Sequence, residues 1–288
     1  MLLARERTPT PRPLLCFIHI ERAGGTTLHH ILRNNYLSFA TLTPSLWSNE
    51  ADAVVTAQEI RGLLRWLPFM KGFGGHSTRL YAGYEEATSH PVKYFTFLRH
   101  PVARYLSHFR YQVDTMGLPW SLEAFLDEPR FANFMTNRIA GRPDLARAKE
   151  LLRTRCTFVG LTERFDESLL LLQEALNLPD LDVRYERQNE GKSAGESTVG
   201  AAPLDDHEIL ERVQSRNELD LELYDFAANV LFPDYVSRYG ADLERDRARF
   251  QAERQGFRFS RSRRLAWAVY RKAGYEPVGR AVRRWQRR

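Results

Sequence analysis

The sequence predicts an α/β fold, a mainly parallel sheet of about four or five strands with helices on both faces and a helical C-terminal extension. Two observations carry this. The apolar runs 14–20, 94–98 and 156–161 are short and continuous rather than alternating, as strands buried on both faces are. Between them the spacing turns helical, as in Leu28, Ile31, Leu32 and Tyr36, and again in Val102, Tyr105, Leu106, Phe109 and Val113. Strands alternating with helices need crossover connections, and crossovers give parallel pairing.

The remaining elements follow in order. Residues 69–75 and 182–186 are weaker strand candidates, and helical patterns cover 55–66, 130–140, 144–153, 166–177, 205–214 and 217–232. Residues 187–203, rich in Gly, Ser and Ala between charges, read as a loop. Residues 242–263 carry dense charge of both signs and read as an exposed helix. Pro277 is placed to open a last helix with Val278, Ala281, Val282 and Trp285 on one face. The chain thus divides into an N-terminal extension (1–13), an α/β domain (14–240) and a basic helical extension (241–288).

Composition narrows the classes. The 288 residues suffice for one large α/β domain with a tail. The formal charge is +6, yet 251–288 hold twelve Lys and Arg against Glu253 and Glu276, leaving the rest net negative. The basic balance belongs to the tail, and no nucleic-acid partner is expected. Cys16 and Cys156 sit in apolar runs and read as buried, reduced thiols. No Cys-x-x-Cys pair or His/Cys cluster offers a metal site. Met1–Pro13 lacks an apolar core, and no run approaches the roughly 18 apolar residues of a membrane span. The expected location is the cytoplasm.

Two strand-to-helix junctions carry the chemistry. The first reads Phe17-Ile18-His19-Ile20-Glu21-Arg22-Ala23-Gly24-Gly25-Thr26-Thr27. Its glycines permit a tight turn and close backbone approach, and the free N–H groups of the following helix favour a phosphate or sulfate. A bare Gly-Gly would only join strand to helix; Arg22, Thr26 and Thr27 add a cation and hydroxyls, which favours an anion site. The second reads Phe95-Thr96-Phe97-Leu98-Arg99-His100-Pro101-Val102-Ala103-Arg104-Tyr105-Leu106-Ser107-His108. Pro101 presets the first helical turn, Arg99 offers a two-pronged anion contact, and Ser107 lies two turns further in. Two such sites on one sheet point to a nucleotide with phosphates at both ends. A nucleotide-triphosphatase loop fits poorly, since no Gly-Lys-Ser/Thr is present and the strand at 94–98 ends in Arg99 rather than Asp.

The two segments resemble the cofactor motifs of sulfotransferases that use 3′-phosphoadenosine 5′-phosphosulfate (PAPS). The resemblance is nearest to carbohydrate sulfotransferases related to the heparan uronyl enzymes and to their bacterial relatives. There the first loop commonly reads His-Ile-Pro-Lys-Thr-Gly-Gly-Thr and the second Leu-Arg-Asp-Pro-Val, followed by Arg and Ser. Weaker likeness continues through Asn133–Gly141 and Phe158–Phe165 and ends near residue 235. Glu21-Arg22 stands where Pro-Lys is common, and His100 where Asp is common.

The resemblance implies a P-loop-type nucleotide-binding fold and sulfuryl transfer to a hydroxyl of a carbohydrate or glycolipid. It assigns Ala23, Gly24, Gly25, Thr26 and Thr27 to the 5′-phosphosulfate, Arg22 to the leaving phosphate, and Arg99 and Ser107 to the 3′-phosphate. Gly75-His76 resembles the segment that supplies the catalytic base, and the ordinary pKa of histidine suits that task. His19, inside the first strand, reads as a packed core residue, while His100 and His108 flank the second motif. Glu59 and Glu163 are alternative bases, and Arg187 and Lys192 are candidates for a lid.

The tail, with Trp267, Tyr270 and Trp285 among its arginines, admits three readings: contact with an anionic membrane through 261–288, a groove for an acidic polymer, or a helix docked on the domain with its charges in water. The first would place the protein on the inner membrane surface. Two other functional readings remain open on these residues: a non-catalytic membrane-surface protein with a decayed cofactor site, and a nucleotide-dependent phosphotransferase.

Overall fold

The computed structural model describes residues 12–43, 53–186, 207–240 and 242–286. Strands β1 (Leu14–Ile18), β2 (Phe39–Thr41), β3 (Gly72–Gly75), β4 (Val92–Leu98) and β5 (Cys156–Leu161) form one parallel sheet in the order β2-β3-β1-β4-β5. β1 is buried along its whole length, which is why its sequence shows no alternation. Phe17 stacks on Phe95 at 5.3 Å and Phe97 meets Phe158 edge-on at 6.1 Å, so aromatic rings tie the central strands together. Cys16 and Cys156 are both buried free thiols, and burial raises their pKa values.

Helix α1 (Gly25–Asn35) follows β1, and α2 (Ala57–Trp66) precedes β3. After β4 comes α3 (Pro101–Arg110), continued by a π-helical turn at 111–115. Then come α4 (Leu122–Asp127), α5 (Phe134–Ala140) and α6 (Leu145–Thr154) before β5, and α7 (Phe165–Ala175) after it. The C-terminal part holds α8 (His207–Ser215), α9 (Glu218–Phe226), α10 (Phe232–Arg238), α11 (Leu243–Arg254), α12 (Arg261–Val269) and α13 (Glu276–Gln286).

The structure departs from the sequence reading at several elements. Residues 182–186 are not a strand, because Asp182 exchanges its backbone hydrogen bonds with the Asn35 side chain instead of a neighbouring strand (2.8 Å each way). β2 and α4 were not foreseen; each is too short to show a period. The 130–140 pattern yields a helix only from Phe134, since Asn133 adopts a left-handed φ of 45°. The 217–232 pattern divides at a π turn over 227–231, and the helix resumes to Arg238. The 242–263 pattern breaks between α11 and α12, where Gly256 has φ 76°. The loop at 187–203, with Arg187 and Lys192, lies outside the described residues, as do residues 1–11 and Arg287-Arg288.

The C-terminal helices are packed on the sheet's flank. Trp267 of α12 is buried and donates its indole N–H to the carbonyl of Phe39 on edge strand β2, 2.8 Å away. A covered edge is protected from pairing with other chains. Arg33 of α1 stacks on the Trp267 ring at 3.9 Å, and Tyr275 is fully buried. On α13 only part of the expected apolar face is inward: Val282 is buried against Gly62 of α2, whereas Ala281 and Trp285 are exposed. Arg261, Arg264, Arg280 and Arg284 point to solvent.

Candidate active site

The strand order decides where the motifs meet. Ile18 at the end of β1 pairs with Gly75 of β3 on one side and Thr96 of β4 on the other. The loops carrying Glu21–Gly25, His76 and Arg99 therefore leave three adjacent strands at the same edge. The β1 crossover runs to one side of the sheet and β4 leads to the other, so strand order reverses here. Such a switch point is where α/β sheets bind ligands.

Gly24 takes φ 79° as the residue preceding α1, a conformation that costs other residues about 1–2 kcal/mol. A Cβ on Gly25 would lie 1.8 Å from Nε2 of the buried His19 ring. Gly25→Ala is therefore expected to destabilise the protein by about 1–3 kcal/mol through displacement of His19, read as a lowered urea midpoint. The Ala23 N–H is engaged by the Ile20 carbonyl at 3.3 Å, so the amides available to a ligand begin at Gly24. No acidic residue stands in the first turn of α1, and Thr26 is exposed with Thr27 half-buried. The helix start thus presents N–H groups and hydroxyls without a competing carboxylate.

Arg22 adopts a left-handed φ of 68° and turns its guanidinium to the second motif. Its Nε donates to Ser107 Oγ at 3.0 Å and its face lies 4.8 Å over the Tyr111 ring. Arg99 Nη1 donates to the Arg22 carbonyl at 3.2 Å. The sequence placed Arg22 at one phosphate and Arg99 with Ser107 at another; the structure joins all three. Burial lowers the pKa of both arginines, and Arg99 lowers Arg22 further by like-charge repulsion. Among the described residues, neither guanidinium has a carboxylate within ion-pair distance. Glu163 acts on Arg99 only from beyond ion-pair distance, so the two neighbouring, half-buried cations have the charge and the free donors that an anion would require.

His76 stands at the other side of β1. Its side chain is 33% exposed, and Nδ1 lies 3.3 Å from Glu21 Oε1. The same oxygen accepts from Arg138 Nη2 of α5 at 2.8 Å. Glu21 therefore faces away from uncompensated charge. Burial alone would raise its pKa, but Arg138 and His76 hold the carboxyl well below the usual carboxylate range. The His19 ring packs against His76 at a centroid distance of 4.1 Å. Burial, then the neighbouring His76, pushes the His19 pKa well down, so it forms a neutral wall. Sequence reasoning missed Tyr111, Arg138 and the contact role of His19; Arg138 lay in a segment already singled out, 133–141, and His19 in the first motif.

The other sequence candidates have structural tasks. Glu59 closes the capping box of α2, accepting from the Thr56 N–H at 2.8 Å, and is buried away from the site opposite Arg283. Glu163 accepts from the His100 N–H and the Tyr224 hydroxyl, each at 2.8 Å. His108 is enclosed by Phe125, Phe131 and Phe134, and burial followed by Arg104 lowers its pKa to about 4.

The fold and site define an α/β protein with a paired-arginine cluster and a carboxylate-linked histidine at the ends of three adjacent strands. No family model matches the chain. It is 25% identical to heparan-sulfate 6-O-sulfotransferase 2 of Gallus gallus over 84% of this chain and 72% of that protein. It is 26% identical to heparan-sulfate 6-O-sulfotransferase 1 of Homo sapiens over 81% of this chain and 68% of the relative. The corresponding Danio rerio protein, 1-B, is 23% identical over 81% and 70%. The resemblance carried by the two motifs thus extends through four-fifths of the chain, a distant but consistent relationship that supports a carbohydrate sulfotransferase at family level.

Proposed function

We propose that the protein transfers a sulfuryl group from PAPS to a hydroxyl of a carbohydrate or glycolipid. The observation that carries this reading is the pair Arg22 and Arg99, half-buried, joined to Ser107 and without a carboxylate partner among the described residues. A donor with phosphates at both ends suits such a pair together with the free helix start at Gly24–Thr27. When bound, PAPS supplies the sulfuryl group and a phosphate leaving group.

The residues divide the work. The amides of Gly24–Thr27 and the hydroxyls of Thr26 and Thr27 hold the 5′ end, where donors already in place need no reorganisation as charge develops. Arg99 and Ser107 hold the 3′-phosphate. Arg22, fixed through Nε and its stacked face, keeps both Nη groups for anionic oxygens between the two motifs. His76 takes the acceptor proton at Nε2. The relatives named for heparan sulfate suggest an acidic glycan as acceptor.

Calorimetric titration with adenosine 3′,5′-bisphosphate, with adenosine 5′-monophosphate and ATP as controls, tests the donor assignment. Selective binding that requires the 3′-phosphate is expected. Arg99→Ala should weaken it about 10–100-fold, since hydrogen bonds to charged groups contribute about 1.5–3 kcal/mol. Equal affinity for all three nucleotides, or none for any, would overturn the proposal.

A further inference from the structure

We propose that Glu21 is a positioning residue: its carboxylate, braced by Arg138, keeps the proton of neutral His76 on Nδ1 and leaves the Nε2 lone pair for the acceptor hydroxyl. The inference rests on the sulfotransferase reading for the acceptor's part, but the arrangement of the three side chains stands independently of it.

The geometry allows one polarity. Glu21 Oε1 lies 3.3 Å from His76 Nδ1 and 2.8 Å from Arg138 Nη2. An ionised carboxylate only accepts, and Arg138 secures the ionised form, so Nδ1 must be the nitrogen that carries hydrogen. The hydrogen bond at one ring nitrogen sets the tautomer and thereby the role of the other. His76 Nδ1 is buried and approaches Glu21 Oε1 at ion-pair distance without a formed hydrogen bond, whereas Nε2 has no partner among the described residues and belongs to a side chain that is one-third exposed. The 3.3 Å separation exceeds that of a well-formed hydrogen bond, as is common before substrate closes a site.

Among the described residues, the surroundings supply no rival acceptor for Nδ1. His19 from the end of β1 presents its ring face to His76, and His29 of α1 lies behind His19. Burial pushes both their pKa values well down, so they remain neutral. His108 of α3 and the guanidinium groups of Arg138, Arg104 and Arg33 are further titratable or charged groups acting on this cluster, and none is an anion. Glu21 thus has a use that explains a carboxylate beside an anion site. Its charge is matched by Arg138 at rest, and it would face the imidazolium formed when His76 Nε2 accepts the proton of the acceptor oxygen, as that oxygen bonds to sulfur and the sulfur–oxygen bond to the 5′-phosphate breaks to release adenosine 3′,5′-bisphosphate.

The long-range ¹H–¹⁵N spectrum of the uniformly labelled full chain, recorded in the alkaline range without nucleotide, tests the tautomer. The His76 signals are assigned by their loss in His76→Ala. Protonated Nδ1 with unprotonated Nε2 is expected, shifting toward protonated Nε2 in Glu21→Ala. Glu21→Gln should lower kcat on the order of 10²-fold, as expected when a reacting group loses its orientation. Its KM for PAPS should stay within about twofold, and Glu21→Asp should recover part of the rate. Protonated Nε2 in the unaltered protein, or an unchanged kcat in Glu21→Gln, would overturn the proposal. Because the spectrum needs no nucleotide, a failed titration with adenosine 3′,5′-bisphosphate would refute the donor assignment while the tautomer assignment is judged separately.

Discussion

His76→Ala is expected to lower turnover by about 10²–10⁴-fold, the range contributed by a positioned general base. Affinity for adenosine 3′,5′-bisphosphate should be unchanged. The two effects separate because the groups proposed to meet the nucleotide stand on the loops after β1 and β4, whereas His76 follows β3 on the far side of β1. Its ring touches Glu21 and His19, while Arg22, Arg99 and Ser107 bond one another on the other side of Glu21. Truncation removes a partly exposed side chain, so the fold should persist. Steady-state rates and nucleotide titrations on the same preparation give the comparison. A normal rate would remove His76 from the mechanism, and a parallel loss of nucleotide affinity would show that the two sides of β1 are not independent.

Asp220→Ala is expected to destabilise the protein by about 2–6 kcal/mol, since each of two buried amides left without an acceptor costs about 1–3 kcal/mol. Asp220 is fully buried on α9 and accepts from the Met135 N–H at 2.9 Å, the Thr136 N–H at 2.7 Å and the Thr136 hydroxyl at 2.8 Å. It thus supplies from another helix the cap that Asn133 does not give α5. Burial raises its pKa, opposed first by the charge of Arg104. Arg104 is itself fully buried, with none of its guanidinium nitrogens hydrogen-bonded and its charge over the Phe134 ring at 4.7 Å. Removing Asp220 orphans two amides and leaves Arg104 without its main counter-charge. Urea unfolding should therefore show a large loss in the single variant. Arg104→Met combined with Asp220→Ala should be markedly less damaging than the sum of the two changes. Additive losses would mean that the two charges do not interact. α5 also carries Arg138, so loosening it should reach the Glu21–His76 pair as well.

Much of the fold was legible because burial on both faces writes a continuous apolar run, and β1, β4 and β5 carry that signature over five or more residues. β2 escaped notice since three residues, Phe39–Thr41, cannot display a period. Residues 182–186 misled because an alternating stretch, Val183 and Tyr185 between charged residues, looks alike whether its backbone bonds a strand or the side chain of Asn35. The last helix was foreseen from Pro277, yet Trp285 proved exposed because α13 meets α2 only through Val282 and its neighbours.

At the site the sequence supplied the residue types and the two junctions. Arg22, Gly24, Gly25, Thr26, Thr27, Arg99 and Ser107 are local patterns, and local backbone chemistry announces itself locally. What they do for one another could not be read there. The resemblance put Ser107 with Arg99 at one phosphate and Arg22 at the other, and only the tertiary structure shows Arg22 reaching across from the neighbouring strand to Ser107 at 3.0 Å. Glu21 looked like a liability beside an anion site until Arg138, more than a hundred residues away, was found at 2.8 Å from it.

The sequence by itself thus determined the α/β class, the buried strands, the turn at Gly24-Gly25 and the cations available for an anion. Those follow from periodicity, backbone freedom and charge, which act over a few residues. Only the tertiary structure decided that β3, β1 and β4 lie side by side, and so that His76, Glu21 and Arg22 share one edge. Strand order depends on the summed packing of helices and strands far apart in the chain, a long-range free energy that no local window contains.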